Sequence, residues 1–284
     1  MTIPALITDS TALLSSEQVA ATGARVVPVT VTINGVDHLD GVDLDVDAFY
    51  RRLSSDADLS MSTAQPSPAR FLEALNAAER AGAASAVAVL VGSAYSGTLD
   101  SARTAAMHSP IPVTCVDTGQ ASFGIGLCVL RAAEVLAAGG DGAEVASEVE
   151  LLAATIESVF IIQARELALA SGRFVDTGLE SAPEGEHNAP IPVLKLAAGE
   201  LSVVGEVVDL DEAIEVMARE ILASGRQLRV ASGLADPATA PVAHGLEQRL
   251  LESPLVEELL HYRVGPSVAA NTGPGTAGTF HHPL

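Results

Sequence analysis

The chain has 284 residues, 48% of them hydrophobic, which is enough to fill the cores of one large or two ordinary domains. Its 36 acidic residues outnumber its 15 basic residues and give a formal net charge of −21. A surface of that sign repels nucleic-acid phosphates and anionic lipid headgroups, and the chain has no run of 18 apolar residues. We therefore expect an acidic protein with no nucleic-acid partner and no stable membrane insertion.

The lysine and cysteine residues exclude one class of nucleotide site and indicate a cellular compartment. Lys195 is the only lysine and does not follow a glycine-rich loop, so a Walker-type ATP site has no lysine to use. Cys115 and Cys128 lie in apolar patterns typical of buried cysteines in a reducing compartment. The first residues lack the features of a secretory signal. We expect a cytoplasmic protein without a bound nucleotide, cofactor or metal ion.

Hydrophobic patterns and turn residues predict the elements of an amino-terminal domain, residues 1–142. In chain order these are a strand at 5–8, a helix with a Ser15/Gln18 capping box that Gly23 ends, a hairpin of 26–33 and 36–39 around Asn34-Gly35, helices from Asp45 to Leu53 and from Ser67 to Ala81, a strand at 86–91, a helix to Met107, a strand at 111–116 and a helix to Ala138. Strands that alternate with helices predict a parallel, doubly wound α/β domain.

A polar stretch interrupts this alternation. Ser54 to Gln65 has no hydrophobic period and is predicted to be a long loop. Loops of that length in compact chains often carry binding residues. The segment Ser62-Thr63-Ala64-Gln65-Pro66 is therefore a candidate binding element, and an ordinary exposed connection is the alternative.

The stretch from Ala83 to Ala102 has the layout of an anion site. Its apolar run, 86–91, is typical of a strand buried on both faces, and ligands of parallel sheets lie beyond the carboxyl ends of such strands. The residues that follow are Ser93, Ser96, Gly97 and Thr98. Backbone N–H groups at the start of the next helix and these hydroxyls would donate to an anion, although they could also be ordinary capping residues. Asp9 and Asp117 end neighbouring strands and could reach the same place.

The second domain, residues 143–284, is predicted to be a mixed α/β domain. Its elements are a helix at 143–155, a strand at 159–162, a short helix ending at Gly172-Arg173, a hairpin of 191–196 with 201–208, a helix from Asp209 or Asp211 to Ser224, a strand at 227–231, a helix at 237–251, a final strand at 262–268 and a tight turn at 271–275.

Seven short motifs occur in one order along nearly the whole chain. They are Ile7-Thr8-Asp9-Ser10-Thr11, Val27-Pro28-Val29, Thr63-Ala64-Gln65-Pro66-Ser67, Tyr95-Ser96-Gly97-Thr98 with Ser101-Ala102, Val116-Asp117-Thr118, Gly172-Arg173 and Gly273-Pro274-Gly275. In this order and spacing they resemble the DegV family. The resemblance implies two α/β domains that enclose one long-chain fatty acid in a tunnel between sheet and helices. It also implies a separate ATP-dependent fatty acid kinase as partner, which converts the presented fatty acid to an acyl phosphate.

The resemblance also assigns site residues. The fatty acid carboxylate would be bound by Thr63, Ser96, Gly97, Thr98 and Asn271, with Asp9, Ser10, Asp117 and Arg173 as surrounding residues or contacts for the partner, and with no catalytic residue. For Arg173 the alternative is an arginine at a helix end that pairs with nearby acidic residues. Three positions depart from the family pattern. Ala64 replaces a serine, Ser171-Gly172-Arg173-Phe174 is a looser form of the arginine motif, and Asn271 stands where the family usually has a histidine. An asparagine can donate a hydrogen bond but does not titrate near neutral pH.

Two other function classes remain. A serine acyl hydrolase or acyltransferase would use Ser96 as nucleophile, but the chain has no G-x-S-x-G motif, and its histidines are predicted to lie in turns, at helix ends or in exposed segments. A small-anion or sugar-phosphate binding protein would use the same helix terminus for a different ligand.

Overall fold

The computed structural model of the chain describes residues 3–55, 59–174, 177–181 and 189–284. Contacts between these residues divide them into two compact units. Unit 1 contains the described residues up to Leu44 and those of Ser60–Ala154, and unit 2 contains those of Asp45–Leu59 and Thr155–Leu284. The sequence analysis divides the chain between residues 142 and 143 instead, and those domain limits stay a prediction.

The described strands and helices follow one another along the chain as expected for an α/β protein. The strands are β1 (Ala5–Asp9), β2 (Arg25–Val27), β3 (Thr30–Ile33), β4 (Val36–Leu39), β5 (Met61–Ala64), β6 (Ala86–Leu90), β7 (Val113–Asp117), β8 (Glu157–Ile161), β9 (Ile191–Ala197), β10 (Glu200–Val207), β11 (Leu228–Leu234), β12 (Val256–Arg263) and β13 (Ala277–Pro283). The helices are α1 (Ser16–Thr22), α2 (Val46–Ser55), α3 (Pro68–Arg80), α4 (Thr98–Ala106), α5 (Phe123–Ala137), α6 (Gly142–Ala153), α7 (Arg165–Ala170), α8 (Leu210–Leu222), α9 (Ala240–Leu251) and α10 (Pro266–Thr272).

Unit 1 is built on a parallel sheet of four strands in the order β2-β1-β6-β7. All five residues of β6 are buried, which explains their uninterrupted apolar sequence. Ile7 and Leu90 on one face of the sheet pack with Phe71 of α3 and Leu99 of α4. The helices α5 and α6 pack against each other and against strands of this sheet. This packing brings the carboxyl ends of β1, β6 and β7 to one edge.

A small antiparallel sheet in unit 1 corrects one prediction. Met61–Ala64, part of the predicted loop, is a strand that pairs with β3 on the side opposite β4. The hairpin at Asn34-Gly35 is confirmed, and both residues have the positive φ that its turn requires. The strand β5 forms because the free edge of that hairpin supplies hydrogen-bond partners, which are distant in sequence. Residues 56–58 of the predicted loop lie outside the described residues.

Unit 2 is built on a mixed sheet of six strands in the order β10-β9-β8-β13-β11-β12. Only β11 and β12 run parallel, and the other neighbours are antiparallel. Val159, Ile161 and Val230 on one face pack with Met217 of α8 and Leu246 of α9. The predicted hairpin that contains Lys195 is confirmed as β9 and β10.

The predicted final strand at 262–268 is wrong. The strand β12 ends at Arg263, and Pro266 begins the helix α10, where proline at the first turn costs no hydrogen bond. The last strand is β13, which lies between β8 and β11 in the sheet. Its sequence contains Thr279, His281 and His282, polar residues that hid its central position.

The expected fold class is confirmed, because one sheet is parallel and the other is mixed, and helices pack against both. In the part of the chain that the structure describes, no helix has the length and apolar content needed to cross a membrane.

Candidate functional site

The loop that joins β6 to α4 is held by carboxylates from the strands on either side of β6. The Val91 N–H donates to Asp9 Oδ2 at the end of β1 over 3.1 Å. At the end of β7, Asp117 accepts hydrogen bonds from the Ser93 N–H at 3.1 Å and from the Ser93 hydroxyl at 2.5 Å. Two of the predicted site residues therefore fix the path of the loop rather than meet in one cluster of acids.

Asp9 is completely buried. Its burial raises its pKa, while hydrogen bonds from the Thr11 hydroxyl, the Val91 N–H and the Thr11 N–H act in the opposite direction. The next residue, Ser10, accepts a 3.0 Å hydrogen bond from the Val29 N–H through its hydroxyl oxygen. These partners belong to the protein itself, so Asp9 and Ser10 connect β1 with neighbouring segments of unit 1.

Asp117 is in a different electrostatic state. Its partial burial acts to raise its pKa, but hydrogen bonds from Ser93 and from the Gly119 N–H, together with the positive charge of Arg103, lower it. Asp117 is therefore ionised at neutral pH and holds the loop at Ser93 through charge-assisted hydrogen bonds.

The Ser96-Gly97-Thr98 turn lies at the amino end of α4. The hydroxyl oxygens of Ser96 and Thr98 are 2.8 Å apart, and the Thr98 N–H donates to Ser96 Oγ at 3.3 Å. Thr98 is fully buried, whereas Ser96 and Gly97 are partly exposed. Gly97 occupies the N-cap position and supplies no side chain to cap the helix. The turn thus combines hydroxyl groups with the positive end of a helix dipole, an arrangement that suits an anion.

The segment that contains Thr63 meets this turn through Gln65. The side chain of Gln65 lies over Gly97, where an added Cβ would be 2.6 Å from Gln65 Oε1. Gln65 Nε2 also donates to Ser101 Oγ in α4 over 3.4 Å. Thr63 lies two residues earlier on β5, opposite Val31, and is partly buried. The structure therefore joins the two motifs that the sequence analysis selected separately. Gln65 and Ser101 belong to those motifs, but their contact was not predicted, and neither residue was assigned to the carboxylate site.

In unit 2 the structure brings Arg173 and Asn271 together. Arg173 Nη1 donates to Asn271 Oδ1 at 2.5 Å, and Asn271 Nδ2 donates to the Ser267 carbonyl at 2.9 Å. Asn271 lies in the last turn of α10, not in the predicted tight turn. Nearby, Gly273 has a φ of 73° and packs so closely on Ala164 that a Cβ would lie 2.3 Å from the Ala164 Cβ.

The histidines do not all lie where the sequence analysis expected them. His281 and His282 are buried in β13, and His38 and His261 lie in β4 and β12. His281 Nε2 is 3.7 Å from Glu157 Oε2. The pKa of Glu157 is lowered to about 2. The hydrogen bond from His281 is the largest cause, partial burial of the carboxylate opposes the shift, and Lys195 adds to the lowering. Among the described residues, the hydrogen-bond partner of the Ser96 hydroxyl is Thr98 and not a histidine.

Cysteine and metal chemistry have no visible role in the described part of the chain. Cys115 and Cys128 are free, and burial raises the pKa of the Cys128 thiol to about 12. A thiol of that kind is a poor nucleophile at neutral pH. No group of three or more histidine, cysteine or acidic side chains in the described ranges is arranged to hold a metal ion.

The fold and the site define a two-unit α/β protein whose parallel sheet carries a hydroxyl-bearing turn at the start of a helix. A model of the family described as "Uncharacterised protein, DegV family" matches residues 4–283. The chain belongs to the DegV family, as its sequence motifs indicated.

Individual relatives agree with this assignment. A DegV domain-containing protein of Streptomyces coelicolor is 29% identical over 278 residues, which are 96% of each chain. A solved DegV family protein from Thermus thermophilus, described as binding fatty acid, is 30% identical with a TM-score of 0.87, and each chain is covered completely. A solved DegV lipid binding protein from Thermotoga maritima has a TM-score of 0.88 at 23% identity, covers 100% of this chain and 99% of its own, and shows the shared fold.

Proposed function

We propose that this protein binds one long-chain fatty acid and that the Ser96-Gly97-Thr98 turn, together with Thr63, binds its carboxylate. The fatty acid binding of the Thermus relative, which shares the whole length of this chain, supports the ligand class. The proposal rests most on one observation in this protein. Gln65 packs on Gly97 and so places the Thr63 segment beside the hydroxyl-bearing start of α4.

The donors of this turn suit a carboxylate. Ser96 and Thr98 are neutral donors, and the start of α4 adds backbone N–H groups and a partial positive charge. A singly charged carboxylate can be bound by such groups without a formal counter-charge. Asp9 and Asp117 hold the loop between β6 and α4 in place by accepting hydrogen bonds from the N–H groups of Val91 and Ser93.

The acyl chain is expected to supply most of the affinity. Burial of about 15 methylenes at about 0.8 kcal/mol each gives roughly 12 kcal/mol before the costs of binding are subtracted. One charge-assisted hydrogen bond contributes only about 1.5–3 kcal/mol. The hydroxyls therefore mainly orient the carboxylate, and the apolar surface retains the ligand.

We propose further that the protein is not a catalyst by itself and presents the carboxylate to a separate ATP-dependent kinase, which forms the acyl phosphate. The only lysine supports this division of labour. Lys195 Nζ lies 3.0 Å from Glu157 Oε2 and 3.9 Å from Glu220 Oε2, so its charge is already engaged within unit 2. Arg173, which is exposed, is the residue that we assign to the phosphoryl group or to the kinase.

Native mass spectrometry of the freshly purified protein, followed by extraction of any lipid, tests the ligand assignment. We expect one fatty acid per chain. A protein that is empty and also fails to take up added palmitate or oleate would contradict the proposal and favour the small-anion alternative. In the same preparation, ATP, Mg²⁺ and palmitate should give acyl phosphate only after a bacterial fatty acid kinase is added. Acyl phosphate formed by the protein alone would contradict its non-catalytic role.

A further inference from the structure

The end of the Gln65 side chain reaches the amino end of α4. An added Cβ at Gly97, the N-cap residue of α4, would be 2.6 Å from Gln65 Oε1, 2.7 Å from Nε2 and 2.9 Å from Cδ. The two terminal atoms are the nearest, so the amide group points at Gly97. Because Gly97 has no side chain, the Gln65 amide occupies the space that the side chain of another N-cap residue would fill.

The backbone on either side of Gln65 is anchored within unit 1. The preceding residue, Ala64, ends β5, which pairs with β3. The following residue, Pro66, is buried, and a proline restricts the residue before it to extended conformations. Ser67 then caps the start of α3 with its side chain. The amide therefore reaches Gly97 from a fixed backbone position.

Ser101 orients this amide. Its hydroxyl oxygen accepts a 3.4 Å hydrogen bond from Gln65 Nε2, and Ser101 is only 6% exposed, whereas Gln65 is exposed. An amide nitrogen carries two N–H groups, and the contact with Ser101 uses one of them. In the flipped orientation the Ser101 hydroxyl would donate to Oε1 and both N–H groups would be free. Either orientation of the amide thus supplies a hydrogen-bond donor at the start of α4.

We infer that Gln65 is a specificity-determining residue that donates a hydrogen bond from Nε2 to the ligand carboxylate, and that Ser101 positions its amide. This inference rests on the proposed function and deepens it, because it assigns the selection of an ionised headgroup over a neutral one. A hydrogen bond to an ionised acceptor is about twice as strong as one between neutral groups. The ratio of the affinities for palmitate and for hexadecanol therefore measures the contribution of Gln65.

Calorimetric titration of the delipidated protein with palmitate and with hexadecanol tests this role. Gln65→Met keeps the length of the side chain and its packing on Gly97 but removes both N–H groups. This variant should bind palmitate about tenfold more weakly and hexadecanol less than twofold more weakly, because only the carboxylate loses a charge-assisted hydrogen bond. Its melting temperature without ligand should equal that of the wild type, since the packing is kept.

Gln65→Glu distinguishes a donor from a group that only fills space. The glutamate has nearly the same shape, but it carries a negative charge and offers acceptors to the ligand. It should weaken palmitate about tenfold beyond the effect of Gln65→Met, because two carboxylates repel each other, and it should leave hexadecanol nearly unchanged.

Gln18→Glu is the matched control for the added charge. Gln18 lies in the same unit, and its side chain forms a capping box with Ser15. A glutamate serves equally well at that position of a capping box. The variant should therefore leave both affinities unchanged.

Ser101→Ala tests the positioning. Loss of its hydroxyl should weaken palmitate about threefold in the wild type and should have no further effect in Gln65→Met. Such non-additivity is expected when one residue acts through the other. A loss of the same size in both backgrounds would refute the role of Ser101.

The remaining outcomes separate this inference from the proposed function. Palmitate binding by Gln65→Met that equals or exceeds that of the wild type would overturn the inference, as would equal losses of palmitate and hexadecanol in that variant. In those cases the wild-type protein still binds palmitate, and the proposed function stands. A wild-type protein that binds neither probe contradicts the proposed function itself.

Discussion

The hydroxyl groups of Ser96 and Thr98 at the start of α4 have different expected roles. Their hydroxyl oxygens are 2.8 Å apart, but Thr98 is fully buried and Ser96 is partly exposed. A hydroxyl both donates and accepts, so Thr98 can orient Ser96 while Ser96 donates to a ligand. At this scale Ser96 is the residue whose removal should affect the ligand most directly.

Replacement of Ser96 by alanine should therefore lower the affinity for palmitate by about tenfold, because one hydrogen bond to a charged group is lost. The affinity for hexadecanol should change less than twofold, since the acyl chain is unaffected. Kinase-dependent acyl phosphate formation should fall more than the affinity, because orientation of the reacting group is lost. Calorimetric titration and a kinase assay measure the two effects.

Ser147→Ala is the matched control for this variant. Ser147 is exposed on α6 in the same unit, so its loss should leave binding and turnover unchanged. Normal turnover in Ser96→Ala would show that Ser96 does not orient the carboxylate.

The loop between β6 and α4 contains two glycines, Gly92 and Gly97, whose close neighbours differ in how easily they can move. An added Cβ at Gly92 would lie 2.8 Å from the backbone carbonyl carbon of Gly119, and the Gly92 N–H donates to the Gln120 carbonyl at 2.8 Å. At Gly97 the atoms in the way belong to the end of the Gln65 side chain. Backbone cannot move without disturbing the sheet edge, whereas a glutamine side chain can rotate away.

Gly92→Ala should consequently destabilise the protein by about 1–3 kcal/mol, the usual cost of overpacking. Gly97→Ala should cost less than about 1 kcal/mol but should displace Gln65 and weaken palmitate binding. Urea unfolding and calorimetric binding measurements separate the two results. The double variant Gly97→Ala/Gln65→Ala removes the steric conflict and serves as the control for stability. Equal destabilisation by Gly92→Ala and Gly97→Ala would contradict this account of the loop.

The whole molecule combines a parallel-sheet unit that carries the proposed anion donors with a mixed-sheet unit that carries Arg173 and Asn271. Its charge of −21 disfavours anions in general, so local donors must overcome an unfavourable long-range field. An apolar chain attached to the anion offsets that field through burial. The proposed preference for fatty acids over small anions rests on this balance.

A series of fatty acids of increasing chain length tests whether burial of the acyl chain offsets the unfavourable electrostatic field. From decanoate to palmitate, each added methylene should strengthen binding by up to about 0.8 kcal/mol until the chain no longer fits. Palmitate at about 100 times its Kd should raise the unfolding free energy by about 2.7 kcal/mol. Calorimetry and urea unfolding measure these values. Acetate and inorganic phosphate, the matched small anions, should give no stabilisation at the same concentrations, and equal stabilisation by them would favour the small-anion alternative.

Local patterns in the sequence predicted much of the fold, because interactions between neighbouring residues decide where many of its helices, strands and turns form. The Ser15/Gln18 capping box, the Asn34-Gly35 turn and the apolar strand β6 are confirmed with little change. The Ser67-Pro68 helix start is confirmed as well. In each case the residues that make the decisive contacts are neighbours in sequence, or their burial on both faces is visible in their composition. The order of the motifs also indicated the family, which the match of the family model over residues 4–283 confirms.

Other features depended on partners that are distant along the chain. Met61–Ala64 became a strand because the edge of β3 was available, and β13 became a central strand although it contains His281 and His282. The contact of Gln65 with Gly97 and the bond between Arg173 and Asn271 join residues 32 and 98 positions apart. The sequence by itself determined the motifs, the charge and most elements. Only the tertiary structure decided which motifs meet, because packing brings those side chains together.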